Sequence, residues 1–187
     1  MPTELGTILL TIARSAIAQR LGLDAPSAPD APSAPDAAAL HRLGAVFVTL
    51  TRDGRLRGCI GSLSPSRSLG EDVKANALAA AFKDPRFPPL GPVEWPELRI
   101  EVSVLGETEW RNCPSESDAI DWLHPVEDGA ILDDGRHRAT FLPQVWEQLP
   151  EPRAFLTELR HKAGMRENEW PTTMRVGRYP VVKYREA

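Results

Sequence analysis

The sequence predicts an α+β fold with mainly antiparallel sheets and flanking helices, on three observations. Alternating apolar segments come in pairs joined by tight-turn residues, as in Ala45 to Thr51, Asp53-Gly54 and Arg55 to Gly61, the pattern of β-hairpins. Segments with apolar residues at three- and four-residue spacing fall between the hairpins, the pattern of helices laid on a core. The two kinds of segment follow no regular strand-helix-strand alternation, which argues against a parallel α/β architecture.

Taken in order, Leu5, Ile8, Leu9, Ile12, Ala16, Ile17 and Leu21 recur on one helical face and Gly22 closes the helix, so 1–23 reads as an N-terminal helix that needs a body to lie on. Asp24 to Ala37 repeats a six-residue Asp/Ala/Pro/Ser unit with four prolines and no large apolar side chain. It reads as an extended, mobile Ala/Pro/Ser-rich linker over 24–37, with the body at 38–187. After the first hairpin, Ser68-Leu69-Gly70-Glu71 fits a capping box for a helix carrying Val73, Ala77, Leu78, Ala80 and Phe82. Pro85 forbids continuation of that helix into DPRFPPL. Leu98, Ile100, Val102 and Val104 share one face of a strand. A short helix over Ser115 to Leu123, a hairpin around Asp133-Asp134-Gly135, a helical turn from Pro143 to Leu149 and a helix over Arg153 to Ala163 follow. Arg178 to Tyr184 is expected as one closing strand.

Composition narrows the function classes. The chain has 187 residues, 42% of them hydrophobic, with 22 basic and 26 acidic side chains, enough to bury a core as one domain or two small lobes. Arg14 and Gln19 interrupt the longest apolar stretch, so no membrane span is expected. Met1 to Glu4 lacks a basic leader region, and two widely spaced cysteines suit a reducing compartment, so the expected location is cytoplasmic. The slight acidity and the lack of a Lys/Arg block argue against nucleic acid as a partner.

Leu56-Arg57-Gly58-Cys59-Ile60-Gly61 is the segment least explained by packing. Glycines inside a strand mark a bulge or a close approach to the backbone, so Gly58 and Gly61 are candidate binding positions. At strand period two, Arg57, Cys59 and Gly61 share a face, which sets a guanidinium beside a thiol. That pairing favours a thiolate nucleophile and also supplies an anion clamp; the alternative is a packed thiol and a structural ion pair. In DPRFPPL the prolines hold the loop extended and present Arg86 to a ligand, or else Asp84 and Arg86 pair to lock the helix end and Phe87 packs. Glu101, on the opposite strand face from Ile100 and Val102, is a weak candidate for a general base or a partner of Arg57. Gln144 stands at a helix start, where free amide donors attract anions, or else it is a buried structural amide. Cys113 precedes Pro114 near another helix start, which can lower a thiol pKa. His41, His124, His137 and His161 have no metal-ligand spacing, and no phosphate-binding glycine motif or serine elbow is present, so neither metal nor cofactor is expected.

GAVFVTLTRDGRLRGCIGSLSP, LGEDVKANALAAAFKDPRFPPL and LRIEVSVL, followed by DGAIL, FLPQVWEQ and Trp170, resemble the AMMECR domain family, also called AmmeMemoRadiSam system protein A. The resemblance runs over nearly all of the chain from Gly44. It implies two lobes forming a cleft, RGCIG at the active or binding site, and a pathway shared with Memo-like and radical SAM proteins. The linker at Asp24 to Ala37 and the stretch His137-Arg138-Ala139-Thr140 depart from the family pattern. The expected function is a module that binds a small anionic molecule or a protein segment at RGCIG. The alternatives are a cysteine-dependent enzyme with Cys59 as nucleophile, and a structural adaptor.

Overall fold

The computed structural model describes residues 4–24, 33–166 and 168–187. The elements in chain order are α1 (Glu4–Leu21), α2 (Ala34–His41), β1 (Leu43–Gly44), β2 (Val46–Arg52), β3 (Arg55–Gly61), β4 (Arg67–Ser68), α3 (Leu69–Phe82), β5 (Leu98–Leu105), β6 (Glu109–Asn112), α4 (Glu116–Trp122), β7 (Gly129–Asp133), β8 (Arg138–Phe141), α5 (Pro152–Lys162), β9 (Arg175–Tyr179) and β10 (Val181–Arg185). Short 3-10 helices span Pro92–Glu97 and Pro143–Glu147. The fold class is α+β. The chain forms two compact units, Met1–Leu105 with Val182–Ala187, and Gly106–Val181.

In the first unit the sheet order is β10-β5-β2-β3, which makes β3 and β10 its edges, and β1 pairs with β4 separately. The β2–β3 turn has Asp53 and Gly54 both at positive φ, 51° and 71°, the geometry of a two-residue hairpin loop whose twist matches its strands. Val46, Val48, Leu50, Leu98, Ile100 and Val102 point to one face of the sheet and are fully or almost fully buried with Leu9, Ile17, Val73 and Ala77 of α1 and α3. α1 and α3 pack on this face, and the opposite one, free of both, is the helix-free face. Glu71 accepts from the Ser68 amide at 3.2 Å and its hydroxyl at 2.6 Å, which fixes the start of α3.

Buried Asp72, on that helix's first turn, accepts from the Val46 amide (3.0 Å), the Ser62 hydroxyl (2.7 Å), the Asn76 amide (3.0 Å) and Arg67 (2.8 Å). A buried carboxylate with so many donors is a fully satisfied staple between helix and sheet. The second unit has the sheet β6-β9-β7-β8. Its own core centres on Trp146 stacked on Phe155 at 3.7 Å between ring centroids, with Leu132, Leu156, Leu159 and Val176 around them.

Three expectations are corrected. Residues 25–32 of the expected linker lie outside the described residues, but Ala34 to Ala37 are the first turns of α2. Pro35 sits in the helix's first turn, where its missing N–H costs nothing, and the Ser33 hydroxyl donates to Asp36 at 2.5 Å. The closing strand is two strands, because Pro180 interrupts pairing: β9 belongs to the second sheet and β10 to the first. The period-two reading of RGCIG fails at Arg57, where the register of β3 against β2 shifts by one residue.

Candidate functional site

Register places Thr49 opposite Cys59 and Leu50 opposite Gly58, but Thr51 opposite Leu56. One extra residue, Arg57, is thus accommodated in a β-bulge. Gly58 and Ile60 follow Leu50 and Val48 to the helix-packed face, and Cys59 and Gly61 follow Thr49 and Phe47 to the helix-free face. Arg57 breaks from the alternation. Its Nε and Nη2 donate to Glu94 at 2.7 and 3.0 Å, and Nη2 also donates to the Pro88 carbonyl at 2.9 Å. The expectation that Arg57 sits beside the thiol is corrected: the bulge turns it into a mostly buried ion pair. Arg57 holds the Glu94 carboxyl down to about 2, with the Gly91 amide helping and burial opposing.

Arg86 takes the place expected of Arg57. As an edge strand, β3 exposes the backbone of Cys59 away from β2. The Cys59 amide donates to Asp84 at 2.9 Å, and the Cys59 carbonyl accepts from Arg86 Nη2 at 3.2 Å. Asp84 and Arg86, beyond the end of α3, are joined at 2.9 and 2.7 Å through Nε and Nη2. Together they cap this part of the edge as a neighbouring strand would. Arg86 above all, then the Cys59 and Arg86 amides, hold the Asp84 carboxyl well below the usual carboxylate range against the opposing effect of burial. Asp84 is buried and engaged by four N–H groups, whereas the Arg86 side chain is 53% exposed.

The Cys59 thiol is half-buried and lies 3.3 Å from the Thr49 hydroxyl. Thr49 is also opposite Glu101 on β5, so Glu101, Thr49 and Cys59 form one row across three strands on the helix-free face. Glu101 is paired with Arg185 and accepts from the Ser103 hydroxyl at 3.3 Å. The two glycines are explained by the chain's own packing. A Cβ on Gly58 would come within 2.2 Å of the Ala80 carbonyl oxygen of α3, and one on Gly61 within 2.2 Å of the Phe47 ring.

The remaining candidates fall elsewhere. Gln144 is half-buried in the 3-10 turn of the second unit. Cys113 is fully buried, and that burial pushes its thiol up rather than down, outweighing Arg111. Among the described residues no group of three or more His, Cys, Asp or Glu side chains gathers as a metal site, and no helix is long and apolar enough to cross a membrane. Sequence reasoning missed Thr49, Glu94, Asp72 and Asn76. Only Asp72 and Asn76 left a signal, as polar residues four apart on the apolar face of α3.

The AMMECR1 family pattern matches residues 10–184 of this chain. A protein of Saccharolobus islandicus (strain L.S.2.15 / Lassen #1) is 35% identical over 98% of this chain and 82% of its own length. A protein of Thermofilum pendens is 35% identical over 91% of this chain and 84% of its own. The crystal structure of the uncharacterized protein PH0010 from Pyrococcus horikoshii superposes with a TM-score of 0.81 at 30% identity, covering 100% of this chain and 93% of that one.

Proposed function

The chain belongs to the AMMECR1 family, and we propose that it is a binding module for a small carboxylate-bearing molecule, held on the helix-free face of the first sheet beside Cys59 and Arg86. The observation that carries this reading is the state of Arg86. Asp84 and the Cys59 carbonyl hold its Nε and Nη2 and its guanidinium lies over the Phe87 ring, while no described residue hydrogen-bonds to Nη1 on this half-exposed side chain. A guanidinium oriented by two nitrogens and open at the third is preorganised for an anion. The Cys59 thiol and Thr49 hydroxyl then meet the remainder of the ligand. A pathway shared with Memo-like and radical SAM proteins goes with this reading and is what the RGCIG and DPRFPPL resemblance implies, and a cytoplasmic location fits the two free cysteines. Catalysis by Cys59 is less favoured, since Glu101 is committed to Arg185 and no other base adjoins the thiol among the described contacts.

Mass spectrometry of small molecules retained by the native protein tests the proposal. The expected result is an acid that Arg86→Gln loses and Cys59→Ser keeps. An adduct on Cys59, or turnover abolished by Cys59→Ser, would replace binding with catalysis. Retention of nothing, together with no response to a library of small acids, would end the proposal.

A further inference from the structure

A concavity lies at the edge of the first sheet opposite to Cys59. Its volume is about 530 Å³, within the range of small-molecule sites. One wall is a stripe of α1, Thr7, Leu10 and Thr11 with Arg14 a turn further, which the helical spacing of three and four residues brings onto one side. Facing it are Arg99 on β5 and Arg185 at the end of β10.

The side chains lining it carry three positive charges, on Arg14, Arg99 and Arg185, against the one negative charge of Glu186, and Ala187 lines it as well. Glu186 is consumed by Arg14, at 2.5 and 2.6 Å, and by the Ile100 amide at 2.9 Å. Arg185 is paired with Glu101. Arg99 donates from Nη1 only to the carbonyls of Pro96 (3.3 Å) and Leu98 (3.1 Å). Those bonds orient the guanidinium without neutralising it, and leave the Nε and Nη2 donors on one edge of the fork unengaged by the described residues. Two parallel donors on a fixed plane match a carboxylate or phosphate bidentately.

We propose that this cavity is a separate binding site for a small amphipathic anion, a carboxylate or phosphate group on a short apolar body, with Arg99 as the anion hook and Leu10 in the apolar wall. The site is independent of the one at Cys59, because the sheet order β10-β5-β2-β3 puts β2 between β5 and the β3 edge that bears Cys59. The Arg14–Glu186 pair fixes the wall and is not a ligand contact.

The test is amide chemical-shift titration of the full chain with hexanoate, hexyl phosphate and acetate. Hexanoate or hexyl phosphate should shift the amides of Thr7, Thr11 and Arg99, and the tighter of the two identifies the headgroup. Acetate should bind at least about tenfold more weakly than hexanoate, because it lacks the apolar body. Arg99 is exposed, so Arg99→Gln preserves the core and should weaken binding about tenfold, one charge-assisted contact. Thr11→Phe, which fills the cavity, should abolish binding. Absence of shifts at millimolar probe, or an affinity unchanged by Arg99→Gln, overturns the proposal.

Discussion

At the scale of single residues, the site is organised by ion pairs that fix arginines in different states. Arg57 is nine-tenths buried and spent on Glu94, whereas Arg86 is held by Asp84 yet open to solvent. The first pair is therefore expected to act on stability and the second on binding. Glu94 titrates at about 2 in the folded chain against an ordinary 4.5. Its folded value is lowered, so its stabilisation is complete above about 4.5 and disappears as pH falls through about 2. Glu94→Gln should cost about 2 kcal/mol at neutral pH, the order expected when one partner of a mostly buried pair loses its charge. In urea denaturation the gap between variant and parent should close as pH drops from about 5 to about 2. A gap that stays constant across that window would mean that the pair acts by packing alone. Arg57→Ala should be worse than Glu94→Gln at neutral pH, since it leaves a half-buried carboxylate with only the more exposed Arg52, 3.6 Å away, as its cation.

The elements show what a sequence can and cannot disclose. Asp53-Gly54, the Ser68/Glu71 box and the alternation of Leu98 to Val104 were legible because each acts through near neighbours in the chain, by backbone φ, local hydrogen bonds or period. The bulge at Arg57 was not, since one inserted residue leaves the composition of a strand unchanged while moving the arginine off its expected face. Nor was the meeting of Arg86 with Cys59, which depends on where α3 delivers the chain rather than on any spacing within it. β6 was missed because Glu109 to Asn112 carries little apolar alternation, and the break at Pro180 because both flanking stretches are β-prone. The glycines of RGCIG were read correctly as close-approach positions, but what approaches is α3 and Phe47. These two contacts should respond differently to a methyl group. Gly58→Ala meets a helix carbonyl that cannot withdraw, and should destabilise by about 3 kcal/mol. Gly61→Ala meets a side chain instead, so its smaller cost should largely vanish in the Gly61→Ala, Phe47→Ala double variant relative to Phe47→Ala alone. Denaturant midpoints of the variants decide this, and equal costs without coupling to Phe47 would contradict the packing account.

The whole molecule is two cores on one chain, and their connectivities differ. Gly106–Val181 is a continuous unit with its own sheet and the Trp146–Phe155 stack. The other unit is closed only by the last residues, Val182–Ala187, which supply most of the edge strand β10 and the Glu186 carboxylate that joins Arg14 of α1 to the Ile100 amide of β5. A continuous unit with its own core is expected to fold without the rest of the chain. A unit closed by a remote segment is not expected to tolerate its loss. Two shortened forms of the chain test the asymmetry. A fragment spanning 106–181 should give dispersed amide resonances and a cooperative thermal transition, though a modest one for so small a core. A chain ending at Val181 should keep that transition, visible in the near-ultraviolet signal of the stacked Trp146, while the first unit loses protection in hydrogen exchange along α1 and β5. Removing the strand uncovers the β5 edge and strands Arg14 without its carboxylate, so the loss should spread through the first sheet rather than fray from its end. If the shortened chain instead melts as the full one does, β10 is an ornament of the sheet and the first unit closes on α1 alone; if fragment 106–181 is unfolded, the second core depends on the first and the chain is a single cooperative body.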